Sequence, residues 1–97
     1  MYPVRFHSEA YDEMAEAAKY YERQSEGLGK RFLDAVNTAV RHIQLKPALY
    51  TDLLPGRKRC LVQSFPFGII YRIKNSTIEI IAVAHTSREP NYWSTRR

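Results

Sequence analysis

Cysteine is all but missing from this chain: Cys60 is the only one in 97 residues, so neither an internal disulfide nor a cysteine-based zinc site can form, which suits a reducing compartment. Glycine and proline are also scarce, four and five residues, and a hydrophobic content of 44% excludes a disordered or low-complexity chain. There is no long hydrophobic run. The longest uninterrupted aliphatic stretch, Ile80 to Ala84, falls far short of a membrane span, and the first ten residues carry Arg5, His7 and Glu9 where an export signal needs an apolar centre. The expectation is a soluble, unexported, cytoplasmic protein with no membrane partner. Neither His7 nor His42 has a neighbour at metal-ligand spacing, so no metal and no cofactor are expected. Residues 1–97 have room for one domain with one modest core.

What is present is an uneven charge. Residues 1–45 hold six Lys/Arg and seven Asp/Glu, whereas residues 46–97 hold nine and three, so the net charge of +5 resides entirely in the second half. Clustered positive charge steers anionic partners, nucleic acid or an acidic protein, although it also serves solubility alone.

The pattern of apolar residues gives the layout. Val4 and Phe6 alternate with Arg5 and His7 in a short strand that ends at Ser8, a residue type suited to cap a helix. At 100° per residue, Ala10, Tyr11, Met14, Ala17, Ala18 and Tyr21 share one stripe, opposite Glu9, Asp12, Glu13, Glu16, Lys19 and Arg23. Gly27 suits the left-handed break between helices. A second stripe of Phe32, Leu33, Val36, Ala39, Val40 and Ile43 ends at Lys46-Pro47, because proline disfavours helical geometry in the residue before it. Ala48 to Gly56 reads as a loop, and Cys60 to Val62, Phe67 to Ile73 and Thr77 to His85 read as a three-strand antiparallel meander. The layout is β-α-α-β-β-β: an α+β fold with a small antiparallel-rich sheet and a helical hairpin packed on one face.

Within the second meander strand Phe67, Ile69, Tyr71 and Ile73 form the core face, so Arg72 and Lys74 point away from the helices, where Lys58 and Arg59 could join them in a basic groove. His85, Arg88, Tyr92 and Trp93 follow the last strand within a few residues. Their grouping suits two different ends. Cleavage of RNA by its own 2′-hydroxyl needs a base, a cation on the phosphate and an acid, and His85, Arg88 and Tyr92 have those chemical types, with Tyr92 or Trp93 available to stack a base. Equally, a C-terminal Trp folds back over apolar surface, and an Arg near a strand end pairs with a carboxylate such as Glu79 or Glu89, which makes the segment a structural latch.

At these residues the chain resembles the RelE/ParE superfamily of bacterial toxin–antitoxin toxins, and within it the ParE-like, plasmid-stabilisation branch. The resemblance is carried by Tyr20-Tyr21-Glu22 with Gly27-Leu28-Gly29 and Arg31-Phe32, by Lys58-Arg59-Cys60-Leu61-Val62, by Phe65-Pro66-Phe67 with Ile70-Tyr71, and by His85-x-x-Arg88-x-Pro90-x-Tyr92-Trp93. It implies the same β-α-α-β-β-β fold and a growth-inhibiting toxin, neutralised by a cognate antitoxin whose C-terminal segment wraps the hairpin and the sheet. RelE-like members cut mRNA on the ribosome, and ParE-like members are associated with poisoning DNA gyrase. Ribonuclease members generally carry an arginine three residues before the tyrosine of the second meander strand, and here that position is Gly68. The expectation is therefore a gyrase-binding toxin with Lys58, Arg59, Arg72, Arg88, Tyr92, Trp93, Arg96 and Arg97 as contacts. The alternative is a ribosome-dependent endoribonuclease using His85, Arg88 and Tyr92, with Arg59 as a further cation.

Overall fold

The computed structural model describes residues 1–97. In chain order it has β1 (Val4–Phe6), α1 (Ser8–Gln24), α2 (Leu28–Leu45), β2 (Thr51–Leu54), β3 (Arg57–Leu61), β4 (Phe67–Lys74) and β5 (Thr77–His85). The five strands form one mixed sheet in the order β1-β5-β4-β3-β2, with β1 parallel to β5 and every other pair antiparallel. The α+β layout expected from periodicity is present, with one strand more than expected. The segment read as a loop contains β2, which pairs with β3 as an edge hairpin through Asp52 and Lys58. The next strand starts at Arg57 instead of Cys60 for the same reason: its partner across the turn begins earlier than the apolar run does.

The helices are joined by a tight hairpin. Gly27 holds the expected left-handed backbone, with φ +83°, and Gly29 lets the helices close on each other. A methyl group at Gly29 would meet the Ala18 carbonyl oxygen at 2.6 Å, so any side chain there forces the helices apart. Glu22 reaches over this turn and accepts the Gly27 and Gly29 amides at 3.0 Å each, satisfying two of the unpaired N–H groups at the start of α2. At the start of α1 the capping acceptor is His7 Nδ1, which takes the Glu9 amide at 3.1 Å, so the cap lies one residue earlier than Ser8.

The main core lies between the hairpin and the sheet and includes Ala10, Phe32, Val36, Ile43, Ile69, Tyr71, Ile78 and Ile80, with Phe65, Phe67, Phe32 and Tyr21 in mutual edge contacts. Tyr11, expected in this core, is 58% exposed, and Ile73 is 41% exposed because β4 runs past the end of β3 there. The opposite face of the sheet is not an open groove. Ile70, Ile81, Ala82 and Ala84 are buried there under Trp93, which is itself 3% exposed.

One irregularity decides where the C-terminal residues point. Ile70 stands opposite Ala82 and Tyr71 opposite Ile80, so Ile81 is an extra residue in β5. Ile81 and Ala82 both face the back of the sheet, and the alternation is reversed beyond them. Val83 and His85 therefore face the helices, with His85 edge-on to Phe67 at 5.1 Å between ring centres.

Candidate functional site

β1 covers the outer edge of β5 only from Ile78 to Ile80, because the chain turns into α1 after Phe6. Beyond that point the Val83 amide and the Ile81 carbonyl have no strand to pair with, and an open edge must be satisfied or blocked. Glu13 of α1 and Arg96 of the C-terminal segment do this. Glu13 Oε1 accepts the Val83 amide at 3.0 Å, and Arg96 Nη1 donates to the Ile81 carbonyl at 3.0 Å and to Glu13 Oε1 at 2.8 Å. A carboxylate and a guanidinium stand in for the missing strand.

Glu13 also anchors the segment after β5. Its Oε2 accepts the Tyr92 hydroxyl at 2.5 Å and Arg96 Nη2 at 3.1 Å, with Arg88 Nη1 further off at 3.4 Å. Arg96 Nε reaches Glu9 at 3.2 Å, and the Arg88 guanidinium lies 3.6 Å over the centre of the Tyr92 ring. Burial, followed by the bond to Glu13, holds the Tyr92 phenol above its ordinary pKa. Glu13 was assigned by helical phase to the solvent face of α1, yet its side chain is only 15% exposed. The one signal for this in the sequence is position: Glu13 lies three residues after Ala10 and four before Ala17, on the border of the apolar stripe.

His85 Nδ1 accepts the Ser87 amide at 3.0 Å and lies 2.8 Å from the Ser87 hydroxyl. A nitrogen accepting from a backbone N–H carries no proton, so the neutral ring bears its hydrogen on Nε2. The nitrogen left facing outward is then a donor. His85, Arg88 and Tyr92 do come together. They line two grooves, one of about 290 Å³ toward the back of the sheet and one of about 450 Å³ toward Asp12, Glu13 and Glu16 of α1.

The expected basic groove of Lys58, Arg59, Arg72 and Lys74 is not assembled. Lys58 stands across from Tyr71, on the helix side, and is bound to Asp52 at 2.8 Å and to the Tyr50 carbonyl at 3.0 Å. Arg72 is paired through Nε with Glu79 at 2.6 Å, and Arg5 meets the same carboxylate at 2.8 Å. These bonds, the Arg72 one foremost, hold the Glu79 carboxyl below its ordinary pKa. Arg97 lines a small depression with Arg5, His7, Arg72 and Glu79, away from Arg59. Arg59 alone of the four lies beside the His85–Arg88 groove, across from Ile70 and over Gly68. No cluster of three or more His, Cys, Asp or Glu residues is placed to hold a metal ion. No helix is long and apolar enough to cross a membrane.

The site is thus carried by a helical hairpin on a five-stranded mixed sheet, with a C-terminal segment strapped back over β5. The chromosomal ParDE toxin–antitoxin system of P. aeruginosa has a chain with this fold, with a TM-score of 0.65 over 90% of the present chain and 98% of that one, at 16% sequence identity. The family model for the ParE toxin of the type II toxin–antitoxin system parDE matches residues 4–90, and the chain belongs to that family. Toxin ParE2 of Mycobacterium tuberculosis, in strains CDC 1551 and H37Rv alike, is 28% identical over 92 residues, covering 91% of this chain and 85% of the relative. The protein is thus the toxin component of a type II toxin–antitoxin system, and such a system implies an antitoxin partner.

Proposed function

We propose that this toxin acts in the cytoplasm by binding DNA gyrase and arresting growth without itself cutting nucleic acid. The contact surface is the C-terminal strap with Arg88, Tyr92, Arg96 and Arg97, together with Arg59 beside it. The observation that carries the reading is the commitment of the groups a ribonuclease would need. The Tyr92 hydroxyl is bound to Glu13, Nδ1 of His85 is taken up by the Ser87 amide, and no side chain extends from Gly68 to meet a crowded phosphate. Family membership points the same way. Trp93 contributes through shape, since it is buried beneath the strap. Lys58 and Arg72, which are already paired, are secondary contacts.

The antitoxin, in this proposal, lies across the helical hairpin. A groove of about 470 Å³ between α2 and the β3–β4 turn, lined by Leu28, Arg31, Ala35, Thr38 and Phe65, is the part of that surface with room for side chains of an extended segment.

The ribosome-dependent endoribonuclease reading is favoured by one observation, the convergence of His85, Arg88 and Tyr92 on the same grooves. Pulse-labelling of DNA and protein synthesis just after induction without antitoxin separates the two. Under the gyrase reading DNA synthesis falls first, with DNA-damage signalling, and His85→Ala remains toxic. If protein synthesis collapses first and His85→Ala is harmless, the ribonuclease reading replaces it.

A further inference from the structure

The back of the sheet has two unlike halves. Trp93 closes the half over Ile70, Ala82 and Ala84, whereas the half toward the β4–β5 turn carries charge. Register lines up one row across it. Arg5 of β1 stands beside Glu79 of β5, and Glu79 beside Arg72 of β4. One residue beyond the pair of Lys58 with Tyr71, the same register sets Arg57 of β3 next to Arg72. Lys74, two residues on from Arg72, shares this face, and Arg97 borders the row beside Arg5. Four cations, Arg5, Arg57, Arg72 and Lys74, thus meet one carboxylate, and Arg5 and Arg72 occupy it at 2.8 and 2.6 Å. Neither Arg57 nor Lys74 belongs to any ion pair, and Arg57 Nε is buried with no hydrogen-bond partner. Like charges side by side on adjacent strands destabilise a sheet, and a buried N–H without an acceptor adds to the cost. Nothing within the fold offsets either. A conflict of this kind, kept in a native sheet, marks a surface that a ligand completes.

We infer that this half-face is a docking surface for the phosphate backbone of double-stranded DNA, held by charge without any reading of sequence. Three features select this partner. An acidic protein needs an apolar or aromatic anchor at the centre of the contact, and the row has none. Exposed Ile73 faces the helices with Tyr71, and exposed Leu61 lies at the other end of β3, across from Gly68. A single strand is held by stacking on exposed rings, whereas the tryptophan of this face is buried. The row crosses four strands, about 14 Å at the usual strand spacing, a length of duplex axis that carries about eight phosphates. Its consequence is a raised concentration of the toxin along DNA. The inference goes beyond the gyrase reading and stands without it. The test uses the toxin alone, so the two fail separately.

The purified full chain is titrated into a short labelled DNA duplex and binding is followed by fluorescence anisotropy, with unlabelled single strand and polyglutamate as competitors. A Kd of about 1–100 μM is expected at physiological salt, the same for a scrambled duplex, with a logarithmic salt slope of about 0.9 per phosphate contacted. Arg57→Gln and Lys74→Gln should each weaken binding about eightfold at about 0.1 M salt and lower the slope by about 0.9, the value of one contact. Arg41→Gln, exposed on α2, should change neither. Arg57→Gln should also keep or raise the melting temperature, because it removes a charge that Arg72 opposes. The single strand should compete more weakly than the duplex, since its axial charge density is half as great. Four results overturn the inference: no salt-dependent binding, an equal loss in Arg41→Gln, a lowered melting temperature with unchanged binding in Arg57→Gln, or competition by the single strand or polyglutamate as strong as by the duplex. Polyglutamate competing that well would give the face to an acidic protein.

Discussion

Two glutamates, Glu13 and Glu79, each collect arginines, and they do so in different ways. Glu79 takes Arg5 and Arg72 from the residues directly beside it in register on β1 and β4. Its partners are cross-strand neighbours in a sheet whose register the apolar faces already fix, so the pairs decorate a structure that forms without them. Glu13 takes its partners from residues 83, 88, 92 and 96, on a strand edge and a strap with no regular structure of their own. There the carboxylate supplies the register. The lesson is about charge: four of the nine cations in the positive half, Lys58, Arg72, Arg88 and Arg96, are already paired within the fold. The strap offers a target a fixed shape more than free cations, and Arg59 is the unpaired guanidinium next to it.

The sharpest way to break this comparison is to remove Glu13. In Glu13→Ala the Arg96 guanidinium, the Tyr92 hydroxyl and the Val83 amide lose their shared acceptor, at a cost of about 3 kcal/mol or more. For a domain of this size that is a fall in Tm of about 15 °C, readable by circular dichroism. The strap should also become the first segment to exchange its amide hydrogens. Tyr92→Phe tests one arm of the hub and should cost about 1.5 kcal/mol in urea unfolding, while remaining toxic if the protein is no ribonuclease. Glu79→Gln should cost less, about 1 kcal/mol, because the amide keeps an acceptor oxygen for Arg72, Arg5 is exposed, and no backbone amide depends on Glu79. Equal losses in Glu13→Ala and Glu79→Gln would show that Glu13 is only another surface pair.

The same contrast explains what could be read from the sequence. Both helices and the β4–β5 hairpin follow from periodicity and from turn residues. Asn75 and Ser76, which lie between the two runs, have φ of +52° and +61°, the two left-handed residues that match the twist of a tight hairpin. The edge strand Thr51–Leu54 escaped because it is four residues long, lies between Pro47 and Pro55, and has little apolar alternation of its own. The extra residue in β5 was also out of reach, since a bulge is a property of pairing and not of one strand. Without it the side of the sheet that His85 occupies is read wrongly. Trp93 as a latch was legible as one of two options. Glu13 was not, because its phase on α1 places it among solvated charges and its partners lie some seventy residues or more away along the chain. The basic groove failed for a simpler reason: successive residues Lys58 and Arg59 must face opposite sides of the sheet.

A third carboxylate, Glu22, sharpens the contrast by acting with no arginine at all. Its two oxygens accept the Gly27 and Gly29 amides, and those bonds, Gly27 first, hold the Glu22 carboxyl below its ordinary pKa. The charged form is thus favoured in the folded state. The stability it adds is present above the ordinary glutamate value of about 4.3 and disappears as pH falls through the lower folded value. Glu22→Gln keeps the shape and one acceptor oxygen but removes that charge. The Tm gap between the parent and this variant should be small and constant from pH 7 to about pH 5, then close progressively in more acidic buffer. A gap that persists undiminished into strong acid would mean that Glu22 sets the hairpin turn by shape alone, and that among the three glutamates charge matters only where arginine meets it.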